Sequence, residues 1–311
     1  MNQGKILKTA VIGVGYLGRF HAQKFASLPD SELIGVVDIN PEQGQKVSEE
    51  LDVPFYLNFE EVINKVDAVS IAVPTVHHYK SAKAFLANGI HVLLEKPFAE
   101  TIEEAEELAQ LSNDNNVFLQ IGHLERFNPV FSKFKQLIDQ PKFIENIRIA
   151  PFPKRGADVD VILDLMIHDI DLVLAAVGEF PKTVEGIGVK FVTSSSDLAK
   201  ARLHFPCGCI ADITASRISD KAERKMRIFQ QGLYLSLDYT SGQVRKLKVD
   251  SSKIPDPEKL QPELIQLEKG DALMAEIDSF LAAIQKKAPL LVSAEEGLNA
   301  MKVAWQIKNQ L

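Results

Sequence analysis

The chain has 311 residues, 46% hydrophobic and 25% charged, with a formal net charge of −7. That length sets two domains as the expectation, the composition excludes general disorder, and the acidic balance argues against broad binding to nucleic acid or anionic membrane. No stretch approaches the roughly 20 apolar residues of a membrane-spanning helix, and the polar start Met1–Lys8 has no apolar signal region behind it, so a cytoplasmic location is expected.

The first 122 residues alternate between two periods. Apolar, β-branched runs at Thr9–Gly13, Leu33–Asp38, Ala68–Pro74, His91–Glu95 and Val117–Gly122 predict strands. Helical patterns lie between them at Leu17–Leu28, Pro41–Leu51, His77–Asn88 and Ile102–Asn113. Near-continuous apolar strands separated by helices predict a doubly wound parallel sheet covered on both faces. Asn40-Pro41 and Thr101 with Glu104 punctuate two helix starts.

From 123 to 311 the pattern becomes that of an α+β domain with a mostly antiparallel, open sheet. Pro129–Ile138 reads as helical, Phe143–Ala150 as a strand and Val159–Val177 as a long apolar helix. Strands are then expected at Val184–Val192, Leu198–Phe205, Ile210–Arg217, Lys225–Gln231, Tyr234–Tyr239 and Gln243–Val249. Pro206-Cys207-Gly208 and Thr240-Ser241-Gly242 supply hairpin turns. Ser251–Lys269 carries three prolines and reads as an exposed loop, followed by helices at Asp271–Lys286 and Ala294–Gln310. Cys207 and Cys209 alone build neither a disulfide framework nor a zinc site, and no metal site is expected.

The segment Gly13-Val14-Gly15-Tyr16-Leu17-Gly18 fits G-x-G-x-x-G where a strand meets a helix. Gly13 permits the tight turn, Gly15 lets the backbone approach a pyrophosphate, Gly18 lets helix and strand pack closely, and the helix N-terminus faces the anion. Asp38 follows 20 residues after Gly18 at the end of the second strand, placed to accept hydrogen bonds from ribose hydroxyls and to repel a 2′-phosphate. With Ile39, Asn40 and Pro41 after it and no arginine, NAD is favoured over NADP.

Ligands in such sheets sit outside the carboxyl ends of the strands. Those ends carry Pro74-Thr75-Val76-His77-His78, Glu95-Lys96-Pro97 and Gly122-His123. Lys96, between a buried strand and a proline that stiffens the turn, is placed to hydrogen-bond a substrate oxygen as hydride leaves; the plainer alternative is an ion pair with Glu95. In the second domain Asp164 and His168 are four apart and share a helix face, so the carboxylate can orient the imidazole that collects a hydroxyl proton. The alternative there is a satisfied core histidine.

Together the glycine loop, Pro74 with His78, Glu95-Lys96-Pro97, Arg126-Phe127 and Asp164 with His168 resemble the Gfo/Idh/MocA oxidoreductase family over nearly the whole chain. The resemblance implies NAD(P)-dependent oxidation or reduction of a sugar or polyol carbon, proton transfer by Lys96 and His168 with Asp164 in support, and a second-domain sheet that forms a homodimer or homotetramer interface. It also implies cofactor contacts at Gly13, Gly15, Tyr16, Leu17, Gly18, Asp38, Ile39, Pro74, Thr75, His78, Glu95 and Lys96.

Residues 122–129, 155–160 and 164–171 resemble more narrowly the UDP-N-acetylglucosamine 3-dehydrogenase branch, whose product feeds the diamino sugar of some lipid A. A nucleotide-sugar needs cations for its diphosphate; Arg126 and Arg155 are the leading candidates, with His123, Lys96 and His168 beside the sugar. The Arg217, Lys221, Arg224, Lys225 and Arg227 cluster is equally readable as solvated strand-edge charge. Two rivals stand: a dehydrogenase of the same fold acting on another nucleotide-sugar, an inositol or a free hexose, and a non-catalytic NAD-sensing protein.

Overall fold

The computed structural model describes residues 5–152, 160–250 and 260–311. Its first unit runs to Leu124 and adds Asp271–Leu298; its second comprises Glu125–Gly270 and Asn299–Leu311.

In chain order the first unit has β1 (Leu7–Ile12), α1 (Tyr16–Ser27), β2 (Ser31–Val37), α2 (Pro41–Leu51), β3 (Phe55–Tyr56), β4 (Ala68–Ile71), α3 (His78–Ala87), β5 (His91–Leu94), α4 (Ile102–Asp114) and β6 (Leu119–Ile121). The six strands are all parallel, in the order β3-β2-β1-β4-β5-β6. This is the doubly wound arrangement expected from the sequence, and its order reverses between β1 and β4, where such sheets bind ligands. Strand β3 went unforeseen because a two-residue strand carries no periodicity. The Asn40 side chain accepts from the amides of Glu42 and Gln43, and Thr101 caps α4 through the Glu104 amide.

The second unit opens with α5 (Pro129–Ser132), β7 (Phe143–Ile149) and α6 (Ile167–Val177). Then come β8 (Thr183–Val189), β9 (Leu198–His204), β10 (Ile210–Ser216), β11 (Glu223–Gln230), β12 (Leu233–Asp238), β13 (Gln243–Lys248) and β14 (Glu263–Gln266). Eight strands lie in the order β14-β13-β12-β11-β7-β10-β9-β8, antiparallel except for the parallel pair β7–β10. Ile144, Ile213, Ile228 and Leu235 point from one face of the sheet into the core with Ile170 and Val173 of α6.

Three local expectations change. Leu264 and Ile265 place β14 on the sheet edge inside the stretch read as loop, with Ile265 opposite Val244. The helix expected over Pro129–Ile138 divides into four-residue α5 and a 3₁₀ turn, Lys135–Leu137. The long helix expected to Val177 begins with a π turn at Ile162–Met166 before α6. Residues 251–259, and Val159 at the start of that helix, lie outside the described residues.

The last helices are α7 (Ala272–Ile284) and α8 (Ala294–Lys308). Ile277, Phe280 and Leu281 of α7 join Val11, Phe25 and Val36 in the core of the first unit, so a chain cut at 122/123 does not foresee where Asp271–Leu298 packs. Among the described residues, no helix is long and apolar enough to cross a membrane.

Candidate active site

The glycine loop closes β1 and opens α1. Gly13 has φ +81°, and a Cβ there would lie 2.7 Å from Val73 Cγ1 and 2.8 Å from the Ala72 carbonyl oxygen. At Gly18 a Cβ would stand 1.8 Å from the Gly13 carbonyl oxygen. These two glycines are therefore demanded by the protein's own packing. Gly15 is different: its φ is −62° and a Cβ would meet nothing within 4 Å. Among the described residues no atom explains its glycine, whereas a pyrophosphate drawn against the N-terminus of α1 does.

Asp38 follows β2. One carboxylate oxygen accepts from the Val14 amide and the other from the Asn40 amide, both at 2.8 Å, which fixes the carboxylate beside the loop with lone pairs to spare for ribose hydroxyls. The Gln43 side chain donates to the Val14 carbonyl at 2.7 Å. A cleft of about 380 Å³ opens here, lined by Gly13, Gly15, Asp38, Ile39, Pro74 and His77 among others. Tyr16 and Ile39 are largely exposed at 87% and 84%, and Leu17 is exposed too. The glycine cradle, the acid and the cleft fit the adenosine and pyrophosphate half of a dinucleotide.

Two residues expected to touch the cofactor, His78 and Glu95, and one expected beside the sugar, His123, are buried. His78 is buried, with Nδ1 2.8 Å from the Pro97 carbonyl oxygen and Nε2 2.9 Å from that of Val73; it holds two loops at the strand ends. Burial lowers its pKa, against the opposing pull of those carbonyls. Glu95 is also buried, 3.1 Å from His21 Nε2, and accepts from the Lys96 amide at 3.2 Å. His123 is 1% exposed. Lys96 and Thr75 are half-buried, and Pro74 is exposed on the rim of the cleft.

In the second unit Asp164 sits in the π turn and His168 in the first turn of α6, both half-buried. A π turn inside a helix often marks a functional site. Flanking His168, Asp169 and Asp171 are buried and clamped. Arg148 reaches Asp169 through Nε at 2.9 Å and Nη2 at 2.9 Å, and Glu125 through Nη1 at 3.0 Å. Arg126 takes Asp171 with two bonds, at 2.7 and 2.9 Å. Burial raises the Asp169 pKa even with Arg148 opposing; burial likewise works against the Arg148 charge, but Asp169 and Glu125 outweigh it and raise that pKa. The two clamps fix the rotation of α6 and so the direction of His168.

The arginine expectation is corrected accordingly. The fork of Arg126 is engaged by Asp171 rather than presented to a diphosphate. Arg217 is buried on Asp197, while Arg224 pairs with Glu125, Lys225 with Glu223 and Asp238, and Arg227 with Glu145. Arg155 lies outside the described residues, with Lys154. Residues that sequence reasoning missed are His21, Ser70, Arg148, Asp169 and Asp171. Their only signal was a polar residue in an otherwise apolar run.

Comparison with known proteins settles the family. The profile described as "Oxidoreductase family, NAD-binding Rossmann fold" matches residues 7–123, and its companion "Oxidoreductase family, C-terminal alpha/beta domain" matches 154–310. The chain belongs to the Gfo/Idh/MocA oxidoreductase family.

Within it, the chain is 38% identical over 303 residues to UDP-N-acetylglucosamine 3-dehydrogenase of Acidithiobacillus ferrooxidans, covering 97% of this chain and 96% of that one. A solved structure of that enzyme superposes with a TM-score of 0.91 at 37% identity, covering 98% and 97% of the two chains. The scyllo-inositol 2-dehydrogenase (NAD(+)) of Bacillus subtilis is 28% identical over 68% of each chain. Levoglucosan dehydrogenase, solved with NADH and levoglucosan, shares the fold with a TM-score of 0.87 at 17% identity, covering 98% and 96% of the chains. As a Gfo/Idh/MocA member this chain is an NAD-binding dehydrogenase.

Proposed function

We propose that this dehydrogenase oxidises the 3-hydroxyl of UDP-N-acetylglucosamine to the 3-keto sugar. The observation that carries the reading is near full-length similarity to an enzyme of that name, joined to a glycine cradle and ribose acid suited to NAD.

NAD, when bound, supplies the acceptor for the hydride from carbon 3. The amides at the start of α1 hold its pyrophosphate and Asp38 its adenosine ribose. His168, oriented by Asp164 and by the clamped α6, accepts the hydroxyl proton. Lys96 stabilises the oxygen as negative charge develops on it. The reverse assignment, with Lys96 taking the proton and His168 donating to the oxygen, uses the same two residues.

We further propose a cytoplasmic homodimer or homotetramer associating through the open face of the second-unit sheet, in a route toward a diamino sugar of lipid A. Phe229 is 41% exposed on that face, with ring centroids 6.0 Å from Phe143 and 4.9 Å from Tyr234, which is apolar surface suited to burial against a second copy. Sedimentation at several concentrations tests this, and a monomer throughout refutes it.

The activity is tested by NADH absorbance with NAD and UDP-N-acetylglucosamine, an aminotransferase and amino donor being present to remove the ketone. Lys96→Met and His168→Ala are each expected to lose turnover by roughly 100-fold or more while still binding NAD. Unchanged turnover removes that residue from the mechanism. NAD binding without any reaction on this sugar, but with reaction on an inositol, moves the substrate and keeps the chemistry.

A further inference from the structure

We infer that a buried chain, Ser70–His21–Glu95, positions Lys96, which makes His21 a positioning residue for the reaction proposed above, on which this inference rests. His21 lies on α1 and is fully buried. Its Nδ1 is 2.8 Å from Ser70 Oγ on β4, and its Nε2 is 3.1 Å from Glu95 Oε1. The other carboxylate oxygen of Glu95 accepts the backbone amide of Lys96 at 3.2 Å.

The direction of these bonds follows from the acceptor. With Glu95 as a carboxylate and the His21 ring neutral, Nε2 donates to Glu95 and Nδ1 accepts the Ser70 hydroxyl proton. Donors therefore run Ser70 to His21 to Glu95, and both oxygens of Glu95 are held, one by the helix behind it and one by the residue whose ammonium matters. Room for this carboxylate is made by Gly122, where a Cβ would lie 3.0 Å from it. The turn is held from its other side by His78, against the Pro97 carbonyl.

A histidine serving only to fill the core is a poor alternative. Its neighbours on α1, Ala22 and Phe25, are buried apolar residues, and an apolar side chain at position 21 would pack without the cost of desolvating two ring nitrogens. The polar connection buys direction: it ties the first turn after β5 to α1 and β4, two elements that also carry the glycine loop and its neighbouring strand. Lys96 is thereby referenced to the same scaffold as the cofactor cradle.

The test compares His21→Met, His21→Gln, Glu95→Gln and Lys96→Met in the full-length protein. Glutamine at 21 keeps a donor at the reach of Nε2; methionine keeps volume and loses it. Two readouts are used: turnover of UDP-N-acetylglucosamine with NAD, separated into kcat and KM, and amide hydrogen exchange of Lys96 in the protein alone.

A positional error near the chemistry costs on the order of 10- to 100-fold, so His21→Met and Glu95→Gln should each lower kcat by that factor. NAD affinity of His21→Met should stay as in wild type, and a double variant joining His21→Met to Glu95→Gln should be no worse than the worse single one. Exchange at Lys96 should quicken in His21→Met and return toward wild type in His21→Gln.

Wild-type kcat and wild-type exchange in His21→Met, with Lys96→Met inactive, overturns the inference and spares the active-site reading. Equal loss in His21→Met and His21→Gln assigns His21 to packing and also overturns it. Normal turnover of Lys96→Met sinks the reading of Lys96 itself, and the inference with it. Should His21→Met fail to fold, the exchange rates of Glu95→Gln and His21→Gln decide the same question.

Discussion

Gly15→Ala separates ligand binding from folding at the glycine loop. A Cβ at this position meets no atom of the described residues within 4 Å and φ is −62°, so the stability of the protein without ligand should change by less than about 1 kcal/mol. A bound pyrophosphate is the exception. The new carbon projects about 1.5 Å from the backbone, into the space where phosphate oxygens approach the amides. Losing one charge-assisted hydrogen bond costs roughly 1.5–3 kcal/mol, so NAD should bind about 10- to 100-fold more weakly. Linkage amplifies the difference: NAD at 100 times its wild-type Kd stabilises by about 2.7 kcal/mol, but by only about 0.4 kcal/mol once Kd has risen 100-fold. In a unit of this size the NAD-induced rise in Tm falls from about 5–10 °C to about 1–2 °C. Differential scanning fluorimetry with and without NAD, beside calorimetric titration, measures both quantities. Gly18→Ala is the internal contrast, since its Cβ would overlap the Gly13 carbonyl and should destabilise the protein with no ligand present. A Gly15→Ala protein that binds NAD with wild-type affinity refutes the placement of the pyrophosphate, and one that is itself strongly destabilised refutes the account of the loop.

Two further outcomes follow from buried charge. Burial pushes the Asp197 pKa up, but the amides of Thr193, Val192 and Phe191 together with Arg217 outweigh it and hold it well below the usual carboxylate range. Asp197→Ala strands Arg217 in the interior and should cost about 3–5 kcal/mol in urea unfolding; a loss below about 1 kcal/mol refutes a structural role for the pair. Because that folded-state pKa is depressed, the contribution of Asp197 is complete above about pH 4 and disappears as pH falls further toward the folded value. Two histidines, His78 and His91, have pKa values lowered from the usual imidazole value, burial being the main cause. The unfolded chain takes up their protons first, so their contribution is full above about pH 6.5 and is lost as pH falls from there toward the folded values. Tm should drop as pH falls from about 6.5 to 5.5, and His78→Gln should flatten the drop; an unchanged slope refutes the assignment to His78.

The alternation of apolar strands with helices, the glycine spacing and the acid 20 residues beyond determined a parallel nucleotide-binding sheet without reference to any contact, because each depends only on local period and backbone freedom. Asp164 with His168 was read from the same local period, since residues four apart in a regular α-helix share a face, but the π turn that holds Asp164 is not written in that period. What only the tertiary structure decided concerns residues far apart in sequence. Arg126 promises a phosphate ligand until Asp171, 45 residues later, is found holding its fork. His78 and Glu95 promise cofactor contacts until the Pro97 carbonyl and His21 are found to occupy them. Asp271–Leu298 joins the first unit because the apolar face of α7 matches a core assembled from residues far earlier in the chain, Val11, Phe25 and Val36 among them. Local propensity is written residue by residue, whereas the partner of a buried charge or an apolar face is chosen by whichever surface folding brings against it.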